Sequence, residues 1–123
     1  MHVKQIEMIW IVVKNWKESI KFYTETVGLK LMESHEEFGW AELQGHEGGA
    51  RLGIAKMCDL EDVKPGENGV VTFTVEDIEK ARIELSKKKV KLLGPVQEIL
   101  GHVKMQKGID ADGNIFQLVQ KLF

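Results

Sequence analysis

The stretch from Ile6 to Met32, IEMIWIVVKNWKESIKFYTETVGLKLM, constrains this chain more than any other. Met8 to Val13 is a run of apolar and β-branched residues that reads as a well-buried strand. Asn15 offers a helix N-cap, and Glu18 stands three residues later, where a capping box needs it. Trp16, Ile20, Tyr23 and Val27 recur at helical spacing, so one face of that helix covers the strand. Gly28 suits the left-handed residue that ends a helix, and Leu29 to Met32 alternates like a second strand. The unit is strand, amphipathic helix, strand.

The rest of the chain repeats this plan. His35-Glu36-Glu37 is polar and reads as a turn; Phe38 to Leu43 is a candidate third strand, and Ala50 to Lys56 a fourth. Gln44 to Gly49, with two adjacent glycines, punctuates the hairpin between them. Asp59 to Asn68 is polar, holds Pro65-Gly66 and lacks periodicity, so it reads as a linker. Gly69 to Val75 is then a strand, and Asp77 can cap a helix with an Ile78, Ala81, Leu85 stripe. Val90 to Leu93, Gly101 to Lys107 and Asn114 to Val119 are three further strands. Laid together, the halves put Val13 on Val75, Asn15 on Asp77, Trp16 on Ile78 and Tyr23 on Leu85. The expectation is an α+β fold of two tandem βαβββ modules, about 1–58 and 69–123, forming one domain. Two such halves side by side suggest curved sheets with helices outside and a cup inside.

With 17 basic and 19 acidic side chains, a formal charge of −2 steers the molecule to neither nucleic acid nor an anionic membrane. Cys58 is alone, so no intrachain disulfide can form, and a reducing cytoplasm is the expected home. The apolar run at 6–13 is too short to span a bilayer, and with no basic leader carrying a small-residue cleavage site ahead of it, no secretory signal is expected.

The pattern V-x-N-x-x-x-S-I-x-F-Y-x-x-x-x-G-L from Val13 to Leu29 resembles the vicinal oxygen chelate superfamily. That superfamily includes glyoxalase I, bleomycin- and fosfomycin-resistance proteins and extradiol dioxygenases. In the second half, Val71 to Asp77 and the D-A-D-G-N-I-F-Q-L run from Asp110 to Leu118 agree with it. The resemblance implies paired βαβββ modules in a curved mixed sheet around a central cleft, often completed across a homodimer. It also implies four cleft positions that hold a metal in the family's enzymes.

Carried over, those positions fall on Met8, Gly53, Val70 and Gln117. A thioether, no side chain and an isopropyl group cannot hold a divalent ion that wants N or O ligands. One position back gives Glu7, Leu52, Gly69 and Phe116; one forward gives Ile9, Ile54, Val71 and Leu118, so no common register yields even two good ligands. No metal and no other cofactor is expected. His2, His35, His46 and His102 are scattered, and His35-Glu36-Glu37 and His46-Glu47 read as solvated turns. Cys58 has no partner motif.

The cup is more informative. With Met8, Gly53, Val70 and Gln117 facing it by family analogy, period two adds Trp10, Arg51, Ala55 and Thr72 to the same face. Trp40 and Glu42 join them, because Ala41 and Leu43 better suit the helix-packed side. On the seventh strand His102, Lys104 and Gln106 alternate against Val103 and Met105, which turns the polar set toward the cup. The candidate ligand-binding residues are therefore Met8, Trp10, Trp40, Glu42, Arg51, Thr72, His102, Lys104 and Gln117. Apolar walls with a few convergent polar groups suit a small organic ligand, with Arg51 and Lys104 suggesting an anionic one. The plainer alternative is that the aromatics fill the cup as core, with Arg51 and Glu42 an ordinary cross-strand pair.

Three functions are compatible with this constellation. A metal-independent protein binding a small molecule, like the resistance-type members, is favoured on the residues. An enzyme would need an unrecognised metal site or metal-free acid–base chemistry through His102 or Glu42. A structural dimer with a closed cup is the third.

Overall fold

The structure, a computed structural model, describes residues 2, 4–59, 63–67 and 69–122. The chain divides into two compact units, Met1–Asn68 and Gly69–Phe123. Residues 60–62 and 68 of the expected linker lie outside the described set; Pro65-Gly66 within it forms a turn, with Gly66 at φ +83°.

The first unit contains β1 (Met8–Val13), α1 (Trp16–Lys21), a π-helical turn (Phe22–Thr26), β2 (Lys30–His35), a short 3-10 turn (Glu36–Phe38), β3 (Trp40–Gly45) and β4 (Gly48–Lys56). Asn15 caps α1 as its sequence position suggested: its side-chain oxygen accepts from the Glu18 backbone N–H at 3.2 Å. Gly28 ends the helical stretch at φ +97°, a conformation that suits glycine. The four strands form one mixed sheet in the order β1-β4-β3-β2, with β1 parallel to β4 and the other pairs antiparallel.

The second unit repeats the scheme with β5 (Val71–Thr74), α2 (Ile78–Lys87), β6 (Lys91–Ile99), β7 (Val103–Ile109) and β8 (Ile115–Lys121). Its sheet runs β5-β8-β7-β6, the same order as the first once elements are numbered within each unit. The Asp77 carboxylate accepts from the N–H groups of Glu79 and Lys80, both at 3.1 Å, and so starts α2. Before β8, Asp110 Oδ1 accepts from the backbone of Asp112 and Asn114, and Gly113 takes φ +83°. That is why the chain turns at D-A-D-G-N.

Each helix covers one face of its own sheet. Under α1 lie Ile11, Val13, Ala41, Leu43 and Ile54 with Trp16 and Tyr23, all buried. The Trp16 indole donates to the Ile54 carbonyl at 3.1 Å, locking helix to sheet. Under α2 lie Val71, Phe116 and Leu118 with Ile78 and Leu85. Burying one such aliphatic side chain stabilises the fold by about 1.5–3 kcal/mol. An exposed pair such as Lys17–Glu36 contributes less than about 1 kcal/mol. Most of the buried apolar side chains therefore lie on the helix side, and in the first sheet the opposite face carries Trp10, Trp40, Glu42 and Arg51 beside buried Val12. Among the described residues, no helix is long and apolar enough to cross a membrane.

Candidate functional site

The strand registers decide which side chains share the face opposite α1. Met8 pairs with Arg51, Trp10 with Gly53 and Val12 with Ala55 across β1 and β4. Glu42 pairs with Gly53 and Trp40 with Ala55 across β3 and β4. Directly opposed residues point to one side of a sheet. Five of the nine candidate residues, Met8, Trp10, Trp40, Glu42 and Arg51, therefore stand together on this face.

Two further residues belong to it that sequence reasoning missed. β2 continues to His35 rather than stopping at Met32, and its register shifts between Leu31 and Glu33. After the shift Glu33 lies opposite Glu42, and His35 opposite Trp40. The only sequence signal is the polar run Glu33-Ser34-His35, and an unbroken polar run reads equally well as a turn.

These side chains are connected. The Trp40 indole N–H donates to Glu42 Oε2 at 2.9 Å, and Arg51 Nη1 reaches Glu42 Oε1 at 2.9 Å. The same Arg51 nitrogen lies 2.7 Å from Glu33 Oε2, and His35 Nε2 is 3.4 Å from Glu33 Oε1. The indole donation first, and the Arg51 guanidinium second, hold the Glu42 carboxyl below its ordinary value. The Trp40 ring lies across Gly53: a Cβ placed there would come within 2.4 Å of the indole and 2.9 Å of Trp10 Cβ. Beside this network a groove of about 780 Å³ opens, its lining including Glu7, Met8, Glu33, Glu42, Gln44 and Arg51 together with Gly49 and Ala50. Its ionisable lining is three carboxylates against one guanidinium.

The second unit corrects part of the expected site. Thr72 and Gln117 are directly opposed across β5 and β8, with Gln117 Nε2 3.5 Å from the Thr72 hydroxyl. Across β7 and β8, however, Gln117 faces Lys107, while Lys104 faces Gln120 and Gln106 faces Leu118. Lys104 and Gln106 therefore belong to the helix side, and Met105 and Lys107 share the face of Gln117. The reason is visible at Gln106, which is buried because its amide donates to the carbonyls of Gly94 and Lys107 at 3.0 and 2.9 Å. His102 sits in the exposed turn ahead of β7. Of the two cations expected to draw an anion, Lys104 faces away from Gln117 and Arg51 is already paired with two carboxylates.

His46 also has a local role, since Nε2 donates to the Gly28 carbonyl at 2.9 Å and ties the β3–β4 hairpin to the end of the helix.

The model of the Glyoxalase/Bleomycin resistance protein/Dioxygenase superfamily matches residues 2–118. The chain belongs to this superfamily. Solved structures agree in fold at low identity. A superfamily member from Sphaerobacter thermophilus aligns with a TM-score of 0.85 at 20% identity, covering 97% of this chain and 98% of its own. An antibiotic binding protein from a Streptomyces species aligns with a TM-score of 0.83 at 21% identity, covering 98% of each chain. An integron cassette protein from the mobile metagenome of the Halifax Harbour sewage outfall gives 0.78 at 22%, covering 96% of this chain and 99% of that one. Identities this low establish the shared fold and nothing finer. No curated protein matches the chain in sequence.

The metal positions that the superfamily resemblance implies do not fit a metal here. Met8 offers a thioether in the groove wall, and Val70 is an exposed isopropyl group ahead of β5. Gly53 offers nothing, and the indole above it occupies the space that a ligating side chain would enter. Gln117 retains one neutral carbonyl. Among the described residues, no three His, Cys, Asp or Glu side chains converge in a way that could hold a metal ion.

Proposed function

We propose that this superfamily member binds a small organic molecule in the groove beside Arg51 and Glu42, without using the family's metal. The observation that carries this reading is the Trp40 indole lying over Gly53 while its N–H holds Glu42. Where a metalloenzyme of this fold would place donors, this chain places an aromatic surface and a hydrogen-bonded charge network. A groove of about 780 Å³ is within the range that accepts a small ligand. One structural neighbour is described as an antibiotic binding protein, which shows that this fold can serve binding. A homodimer, the assembly implied by the family resemblance, is part of the same reading.

Metal-free acid–base catalysis through Glu42 is the weaker reading. Both carboxylate oxygens already accept hydrogen bonds, and a lowered carboxyl is a poor proton acceptor near neutrality. His102, the other candidate, is exposed in a turn.

The three tryptophans make the test direct. Trp16 is buried with its N–H on Ile54, whereas Trp40 borders the groove network. In heteronuclear NMR spectra of the full chain, a small-organic-compound library should yield binders that shift the Trp40 indole resonance and leave that of Trp16 in place. Binders that leave Trp40 unmoved, or a library that moves neither indole, would overturn the reading.

A further inference from the structure

The charge that a ligand meets in the groove depends on what Arg51 is doing. Its Nη1 lies between two carboxylates, 2.7 Å from Glu33 Oε2 and 2.9 Å from Glu42 Oε1. Glu42 is anchored a second time by the Trp40 indole, and its side chain is only 16% exposed. Glu33 stands on the edge strand β2 with its side chain 45% exposed. Facing carboxylates on neighbouring strands repel each other unless a cation lies between them, and Arg51 is that cation here. A guanidinium carries five N–H donors and can grip a carboxylate or phosphate through two of them. While Glu33 and Glu42 share its Nη1, the positive charge is balanced by the protein's own carboxylates, and Glu7 adds a third negative charge to the lining.

We propose that Glu33 is the specificity-determining residue of the groove: by engaging Arg51 it makes the groove select cationic over anionic ligands. The inference rests on the groove being a ligand site, as argued above. It comes from the register shift between Leu31 and Glu33, which places Glu33 opposite Glu42. With Glu33 neutralised, Arg51 keeps Glu42 as its one carboxylate partner, the Nη1 donor that Glu33 held is released to the groove, and the lining loses one negative charge, so the preference moves toward anions.

Benzamidinium and benzoate share a ring and differ in charge, which makes them matched probes. Titrated into the full-chain protein, benzamidinium should shift the Trp40 indole and Arg51 amide resonances at concentrations roughly tenfold below benzoate. In Glu33→Gln that ratio should fall by about tenfold or more. In the double variant Glu33→Gln with Arg51→Met, the gain for benzoate should disappear, separating the release of Arg51 from a general loss of negative charge. Native amide dispersion in each variant checks the fold. A ratio unchanged by Glu33→Gln, or wild-type protein that binds benzoate as well as benzamidinium, overturns the role of Glu33 while leaving the groove a ligand site. Wild-type groove resonances that respond to neither probe overturn this inference together with the reading beneath it.

Discussion

Gly53 shows how one absent side chain determines what a sheet face can carry. The Trp40 indole occupies the space above it, and Trp10 Cβ closes the other side. Trp10 Cβ is attached directly to backbone and cannot swing away, so Gly53→Ala should destabilise the protein by about 1–3 kcal/mol, read from denaturant unfolding. Unchanged stability would mean that the indole does not rest on Gly53. Glu42 makes a second prediction. Its folded-state carboxyl is held below the ordinary value of 4.5, so its contribution is fully present above that value and is lost as pH falls through the lowered one. Glu42→Gln should therefore flatten the stability profile below about pH 4.5, leaving the slope near neutrality unchanged. A profile as steep as that of the wild type at acid pH would show that the indole and Arg51 do not hold the ionised form. At this scale the sequence was legible where residue type and period agree, as with Trp10, Trp40, Glu42 and Arg51. It misled on β7, where polar residues were expected to face the cup. Gln106 is buried instead because backbone carbonyls at Gly94 and Lys107 accept from its amide, and alternation of polarity carries no record of such partners.

Among the elements, the two helices differ by one residue. The N-cap and the left-handed residue are thirteen positions apart in the first (Asn15 to Gly28) and twelve in the second (Asp77 to Lys89). The π-helical turn Phe22–Thr26 accommodates the additional residue. The second helix ends without glycine: Lys89 takes φ +62°, a conformation that burdens a side chain bearing Cβ. Lys89→Gly should raise stability by up to about 1 kcal/mol, seen as a higher denaturation midpoint. A lower midpoint would place the strain elsewhere. Strand cores were legible, and strand ends were not. β6 continues past the expected end at Leu93 through Gly94-Pro95, because it is an edge strand and proline's missing N–H can be tolerated there. β2 continues through Glu33 and His35 for the same topological reason, since an edge strand tolerates polar side chains. The Glu33–Arg51 contact, on which the charge of the groove depends, was hidden by that ending.

For the whole molecule, the repeated plan was the most legible feature. Asn15 and Asp77 both serve as N-caps, and both sheets place their last strand parallel to their first. The helix side of each unit buries the apolar stripe, while the other side of the first sheet carries aromatic and charged groups around a groove. On the proposed reading, this superfamily member binds an organic molecule without the family's metal, and does so as a homodimer. Native mass spectrometry of untagged protein, purified gently and without chelator, tests it most directly. The expected species is a dimer of the 14.0 kDa chain without stoichiometric transition metal, bare or carrying an organic adduct whose mass begins to name the ligand. One transition-metal ion per chain would contradict this reading and return the protein to metal-dependent chemistry, and a monomer would rule out the homodimer.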